Sequence, residues 1–205
     1  MGQISFIAGL TLLVPRLVHS TAFDSFNAMG LLLGLWAAIR LAGAPAVRFN
    51  PPRAWLSYAL LSLVGGLLLS FLDLKALGAW ENPALTGNYA LLHASIQAHD
   101  PMGTSLLILP PCLFYPILEE SLFRGMLYQA FLRAGRSRAA SVALGSGLFA
   151  LMHLTGGLEA VAVLDIFVLG VILSQLTLRS RSLVPAILMH ASFNALAVAV
   201  RTRLL

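Results

Sequence analysis

Apolar residues run along this chain in long blocks, near 3–18, 27–47, 54–72, 104–132, 139–155, 160–178 and 183–200. Most of these blocks approach or exceed the roughly 17–25 residues that a helix needs to cross a bilayer. A backbone inside lipid must satisfy its own polar groups, and a helix does so within one segment. The pattern therefore predicts an all-α protein, a polytopic transmembrane helical bundle of about seven to eight helices. Block 104–132 is too long for one straight crossing. It holds Pro110, Pro111 and Pro116, which predicts a bend or break ahead of the polar residues that follow. The mixed stretch 73–101 predicts a surface loop carrying a short amphipathic helix near Tyr89–Gln97. Pro15 and Arg16 interrupt the first block. With no basic start and no small-residue cleavage site, that block reads as a short first span rather than a removed signal peptide.

Composition narrows the class. Of the 205 residues 59% are hydrophobic and 10% charged, whereas soluble domains carry about 25% charged residues. So few charges cannot cover a water-exposed surface, so the chain is an integral membrane protein. The net charge of +5 reads as the bias of cytoplasmic loops toward Lys and Arg, not as a nucleic-acid surface. Arg48 and Arg53 share one loop, Arg133, Arg136 and Arg138 a second, Arg179 and Arg181 a third. The loops between are acidic or neutral, which fits seven crossings with a cytoplasmic N-terminus. Arg201 and Arg203 would then lie outside, against the rule. The lone Cys112 excludes an intramolecular disulfide and a cysteine metal cluster. No repeat, low-complexity tract or soluble domain boundary divides the chain, so residues 1–205 read as a single integral membrane domain.

Against this background the polar residues within the blocks stand out. An ionised side chain at mid-bilayer costs at least about 2.5–3.5 kcal/mol, yet Glu119, Glu120 and Arg124 fall within six positions of one block. His153 lies in the next, and His190 with Asn194 in the last. At 1.5 Å per residue, Glu119 is about 21 Å from Arg133, His153 about 22 Å from Arg138 and Asn194 about 20 Å from Arg181. Polar groups of three helices thus reach one depth, as a shared cavity requires. Glu120 and Arg124, four apart, can form an ion pair on one helix face. Glu119 is turned about 100° away and lacks such a partner on its own helix. A glutamate and a histidine sharing one water can generate a nucleophile for a peptide carbonyl. A second histidine and an asparagine can stabilise the oxyanion, and an asparagine one turn from a histidine can also orient its ring. No serine sits in a nucleophile elbow, so water is the attacking group this set supports.

Glu119-Glu120-Ser-Leu-Phe-Arg124, Phe149-Ala-Leu-Met-His153 and His190-Ala-Ser-Phe-Asn194, in that order, resemble the EExxxR, FxxxH and HxxxN motifs of the CPBP family. That family comprises CAAX prenyl proteases and bacteriocin-processing (Abi) proteins. The resemblance covers 119–194, places a catalytic core at about 104–200, and implies a glutamic-type intramembrane endopeptidase without cofactor. By resemblance, Glu119 and His153 activate water, His190 and Asn194 form the oxyanion site, and Glu120 with Arg124 supports them. The implied substrate is a protein or peptide with a membrane-proximal cleavage site near its terminus. The implied location is a bacterial inner membrane. Glu119, His153 and His190 would also suit zinc with an open fourth position, which keeps a metal-dependent variant as an alternative.

Blander readings apply to each residue alone. The acidic pair with Arg124 could be a structural ion pair, and each histidine or Asn194 an interhelical hydrogen bonder. Phe149 reads as packing, and Gly65-Gly66 and Gly145-Ser-Gly147 as close helix contacts. On the same fold, a non-catalytic immunity or peptide-binding membrane protein would keep the ion pair. Only the enzyme needs Glu119 and His153 together.

Overall fold

The computed structural model describes residues 54–76, 87–154 and 160–204, and there the chain is helical with no strand. The described helices are α1 (Trp55–Ala76), α2 (Gly87–Gln97), α3 (Pro101–Arg133), α4 (Arg138–Leu154), α5 (Ala160–Ser180) and α6 (Val184–Arg201). Four are long and apolar enough to cross a membrane: α1, α3, α5 from Val163, and α6. The expected spans at 3–18 and 27–47 lie outside the described residues. The expected short helix near Tyr89–Gln97 forms as α2, which buries Leu92 and exposes Leu91.

Helix α1 shows the inverted pattern that lipid imposes. Its buried positions are Ser62, Gly66, Ser70 and Leu74, spaced by four residues along one face. Its exposed positions include Leu56, Leu60, Val64, Leu67 and Leu68. Lipid tails are as apolar as leucine, so small residues go to the helix contact and leucines face outward. A Cβ at Gly66 would overlap Ser192 Oγ and the Met189 carbonyl of α6, so the two helices approach closely at this glycine. The second glycine pair behaves otherwise. A Cβ at Gly147 would meet nothing within 4 Å among the described residues, and one at Gly145 only the Phe123 carbonyl at 3.9 Å. The expectation of a close helix contact in this segment is met at Ser146, which lies against Gly170 of α5, and not at Gly147 among the described residues.

The expected break in α3 also takes a different form. Asp100 caps the helix by accepting from Met102 N–H and Gly103 N–H, with Pro101 in the first turn. The chain then passes its prolines without stopping, through a π-helical stretch at Pro110–Phe114 and a second at Ser121–Leu127. A π turn shifts each carbonyl's partner by one residue, so the helix absorbs residues that an α ladder would reject. After Arg133, Gly135 at φ 78° ends the helix, with Arg136 N–H donating to the Phe131 carbonyl. Ser137 then accepts from Ala140 N–H at the start of α4.

Helix α6 packs chiefly on α1 and then on α3 and α5, and α4 packs on α5. Leu169, Leu173, Leu176, Ala186, Met189 and Phe193 form one core between α5 and α6. Leu122, Phe123, Met126 and Phe149 form another between α3 and α4. A cavity of ≈ 200 Å³ lined by Arg124, Tyr128, Gln129, Ser174, Thr177 and Arg181 joins the C-terminal ends of α3 and α5. The basic turns after these helices thus share one end of the bundle. At the other end Arg201 lies over the Tyr89 ring at 5.5 Å. His93 Nδ1 donates there to the Thr202 carbonyl at 2.8 Å. The arginine that breaks the loop-charge rule thereby has a partner of its own.

Candidate active site

Glu120 is the junction of the polar cluster. Its side chain is fully buried, and Oε1 accepts from Arg124 Nη1 at 2.9 Å and from His190 Nδ1 at 2.9 Å. Arg124 Nη2 donates to the Gly170 carbonyl of α5 at 3.0 Å. Gly170 admits this approach, since a Cβ there would lie 3.2 Å from Nη2 and 3.0 Å from Ser146 Cβ. The guanidinium also lies over the Phe149 ring, 4.3 Å from its centroid, a cation–π contact that offsets part of its desolvation. One ion pair thus ties α3 to α4, α5 and α6.

His190 lies between two carboxylates. Nδ1 is held by Glu120, while Nε2 faces Glu119 Oε2 at 3.8 Å, too long for a direct hydrogen bond. Glu119 is 14% exposed, and its Oε2 is buried without a hydrogen-bond partner among the described residues. The sequence offered Asn194 as the group that could fix the imidazole. The structure gives that task to Glu120, seventy residues away. Asn194 Nδ2 instead donates to the Pro111 carbonyl at 2.8 Å.

His153 is anchored on its own helix, with Nδ1 donating to the Phe149 carbonyl at 2.8 Å. A carbonyl only accepts, so Nδ1 carries the proton of this bond. Phe149, fully buried, meets both imidazoles edge-on, with centroids 4.8 Å from His153 and 5.7 Å from His190. Sequence reasoning had assigned Phe149 to packing. Its position one turn before His153 was the signal that could have marked it as the spacer between both rings and Arg124.

Glu120 and Arg124 thus form the close ion pair, and His190 reaches both glutamates. His153 meets the group through Phe149, and Asn194 of α6 lies at its edge, bonded to Pro111 of α3. Sequence reasoning missed Gly170, Pro111 and the Glu120–His190 bond. Each depends on how separate helices meet. Among the described residues no three His, Cys, Asp or Glu side chains are grouped so as to hold a metal ion.

Fold and site together define a helical membrane protein with an ionisable cluster inside its bundle. Residues 101–196, from the first residue of α3 to beyond Asn194, match the family described as type II CAAX prenyl endopeptidase Rce1-like. The match covers slightly less than half of the chain, and by that likeness the segment is similar to proteases that act on a protein or peptide. No curated protein and no solved structure matches the chain.

Proposed function

We propose that this chain is a glutamic-type intramembrane endopeptidase that hydrolyses a peptide bond near the terminus of a membrane-associated protein or peptide. The observation that carries the reading is the placement of His190, clasped by Glu120 on one nitrogen and facing Glu119 with the other. In this reading a water lies between Glu119 Oε2 and His153 Nε2. One of these two accepts its proton as the oxygen attacks the scissile carbonyl. With a second proton on Nε2, His190 donates to the developing oxyanion, and Glu120 balances the charge through Nδ1. Asn194 has one amide N–H committed to Pro111 and a second available for the same oxyanion. The proton taken from water passes to the leaving amine as the C–N bond breaks. Two carboxylates, one guanidinium and one imidazolium sum to zero, which lowers the cost of holding charge at this depth.

Residues 1–205 form one integral membrane domain of about seven to eight helices in this reading, with the catalytic core at about 104–200, in a bacterial inner membrane. No cofactor takes part. The test is a comparison of protein termini in cells making the wild-type chain or Glu119→Gln at equal levels. New C- or N-termini of membrane-associated proteins are expected with wild type and absent with the variant. Identical termini in both would remove the protease reading.

A further inference from the structure

The bond between Asn194 and Pro111 crosses from α6 to the proline-rich part of α3, and the acceptor it uses exists for a local reason. In the π-helical stretch Pro110–Phe114, Tyr115 N–H donates to the Pro110 carbonyl, five residues back. Continued by one residue, this ladder would send the N–H of residue 116 to the Pro111 carbonyl. Residue 116 is a proline and has no N–H to give. The α-type donor to the same carbonyl would be Tyr115 N–H, which is already used. Pro111 is therefore left with a carbonyl that its own helix does not satisfy, inside a membrane-spanning segment where an unpaired polar group is costly. Asn194 Nδ2 fills it at 2.8 Å. Because that carbonyl only accepts, the contact also fixes which way the amide faces. The second N–H of Nδ2 then has a set direction.

We propose that Pro116 is a positioning residue: by withholding an N–H it reserves the Pro111 carbonyl for Asn194 and so holds the Asn194 amide in one orientation. The hydrogen bond stands independently of the catalytic reading; only its use in aiming Asn194 at a reacting carbonyl rests on that reading. Three prolines near the glutamates are thus not equivalent. Pro110 and Pro111 sit in the π turn itself, while Pro116, buried three residues before Glu119, sets the acceptor.

The test follows the side-chain amide of Asn194 in detergent-solubilised full-length protein labelled with ¹⁵N-asparagine. Hydrogen exchange of that amide is expected to be about tenfold slower than in the denatured chain, the factor of an ordinary net hydrogen bond. Pro116→Ala supplies the missing N–H and is expected to abolish the slowing. Thermal unfolding gives a second arm. Asn194→Ala is expected to lower the apparent Tm in the wild-type background and to lower it less in the Pro116→Ala background, where the backbone satisfies Pro111. Wild-type exchange as fast as in the denatured chain, protection retained in Pro116→Ala, or equal Tm losses in both backgrounds would each overturn the proposal. If Pro116→Ala does not fold, Pro116→Ser, which supplies the same N–H, takes its place in both arms. None of these readouts involves cleavage, so failure here and failure of the protease reading are separable.

Discussion

At the scale of single residues, Arg124 is 2% exposed and its partner Glu120 fully buried, so neither can turn to water if the other is lost. Arg124→Ala leaves a buried carboxylate facing only His190, and breaking a buried pair in this way costs about 3–5 kcal/mol. Thermal unfolding in detergent should therefore show a large loss of stability. Arg124→Lys should recover only part of it, because one ammonium cannot reproduce the fork that reaches Glu120 and the Gly170 carbonyl together. Wild-type stability in either variant would contradict the role given to the pair. This pair was legible in the sequence, since four residues on one helix share a face. The contact of Glu120 with His190 was not, because it depends on α6 lying against α3. The two histidines show why a residue type alone says little. His153 leans on a backbone carbonyl of its own helix, whereas His190 leans on a carboxylate of another.

At the scale of elements, the hydrophobic blocks located the described helices closely, including α2 within the mixed stretch. The proline-rich segment was the exception. Periodicity reads the α spacing of side chains, while a π turn is visible only in which carbonyl each N–H reaches. The expected break therefore became two wider turns in an unbroken α3, and those turns set the angle at which Glu119, Glu120 and Arg124 face their neighbours. The glycines give a direct test at this scale. Gly66→Ala forces a methyl group into Ser192 and the Met189 carbonyl, so it should push α1 from α6 and lower the apparent Tm. Gly147→Ala meets no described atom within 4 Å and should leave Tm unchanged or raise it, since alanine favours a helix interior by about 0.8–1 kcal/mol over glycine. The reverse order would contradict the packing described.

At the scale of the whole molecule, the four spans among the described residues are leucine-clad and hold a cluster of ionisable groups between helices, an arrangement that only an internal task or a balanced set of charges sustains in lipid. The three motifs were readable from residue spacing, but the expected common depth was not met at Asn194, which meets Pro111 while His190 one turn earlier meets Glu119 and Glu120. The way they meet was not readable, because Phe149, Gly170 and Pro111 contribute through shape and backbone rather than through a recognisable side-chain chemistry. If a carboxylate and an imidazole activate the water without a metal, cleavage should persist in excess EDTA. Loss of activity that added zinc restores would return Glu119, His153 and His190 to a metal-binding role. The most direct test uses purified protein in lipid vesicles and a substrate segment identified from altered termini. Cleavage rates are measured for wild type and Glu119→Gln at matched folding. Loss of a group that transfers a proton in the rate-limiting step is worth about 10²–10⁴-fold, so the variant should cleave at least about a hundredfold more slowly while unfolding cooperatively. A folded Glu119→Gln protein cleaving at the wild-type rate would contradict hydrolysis by carboxylate-activated water.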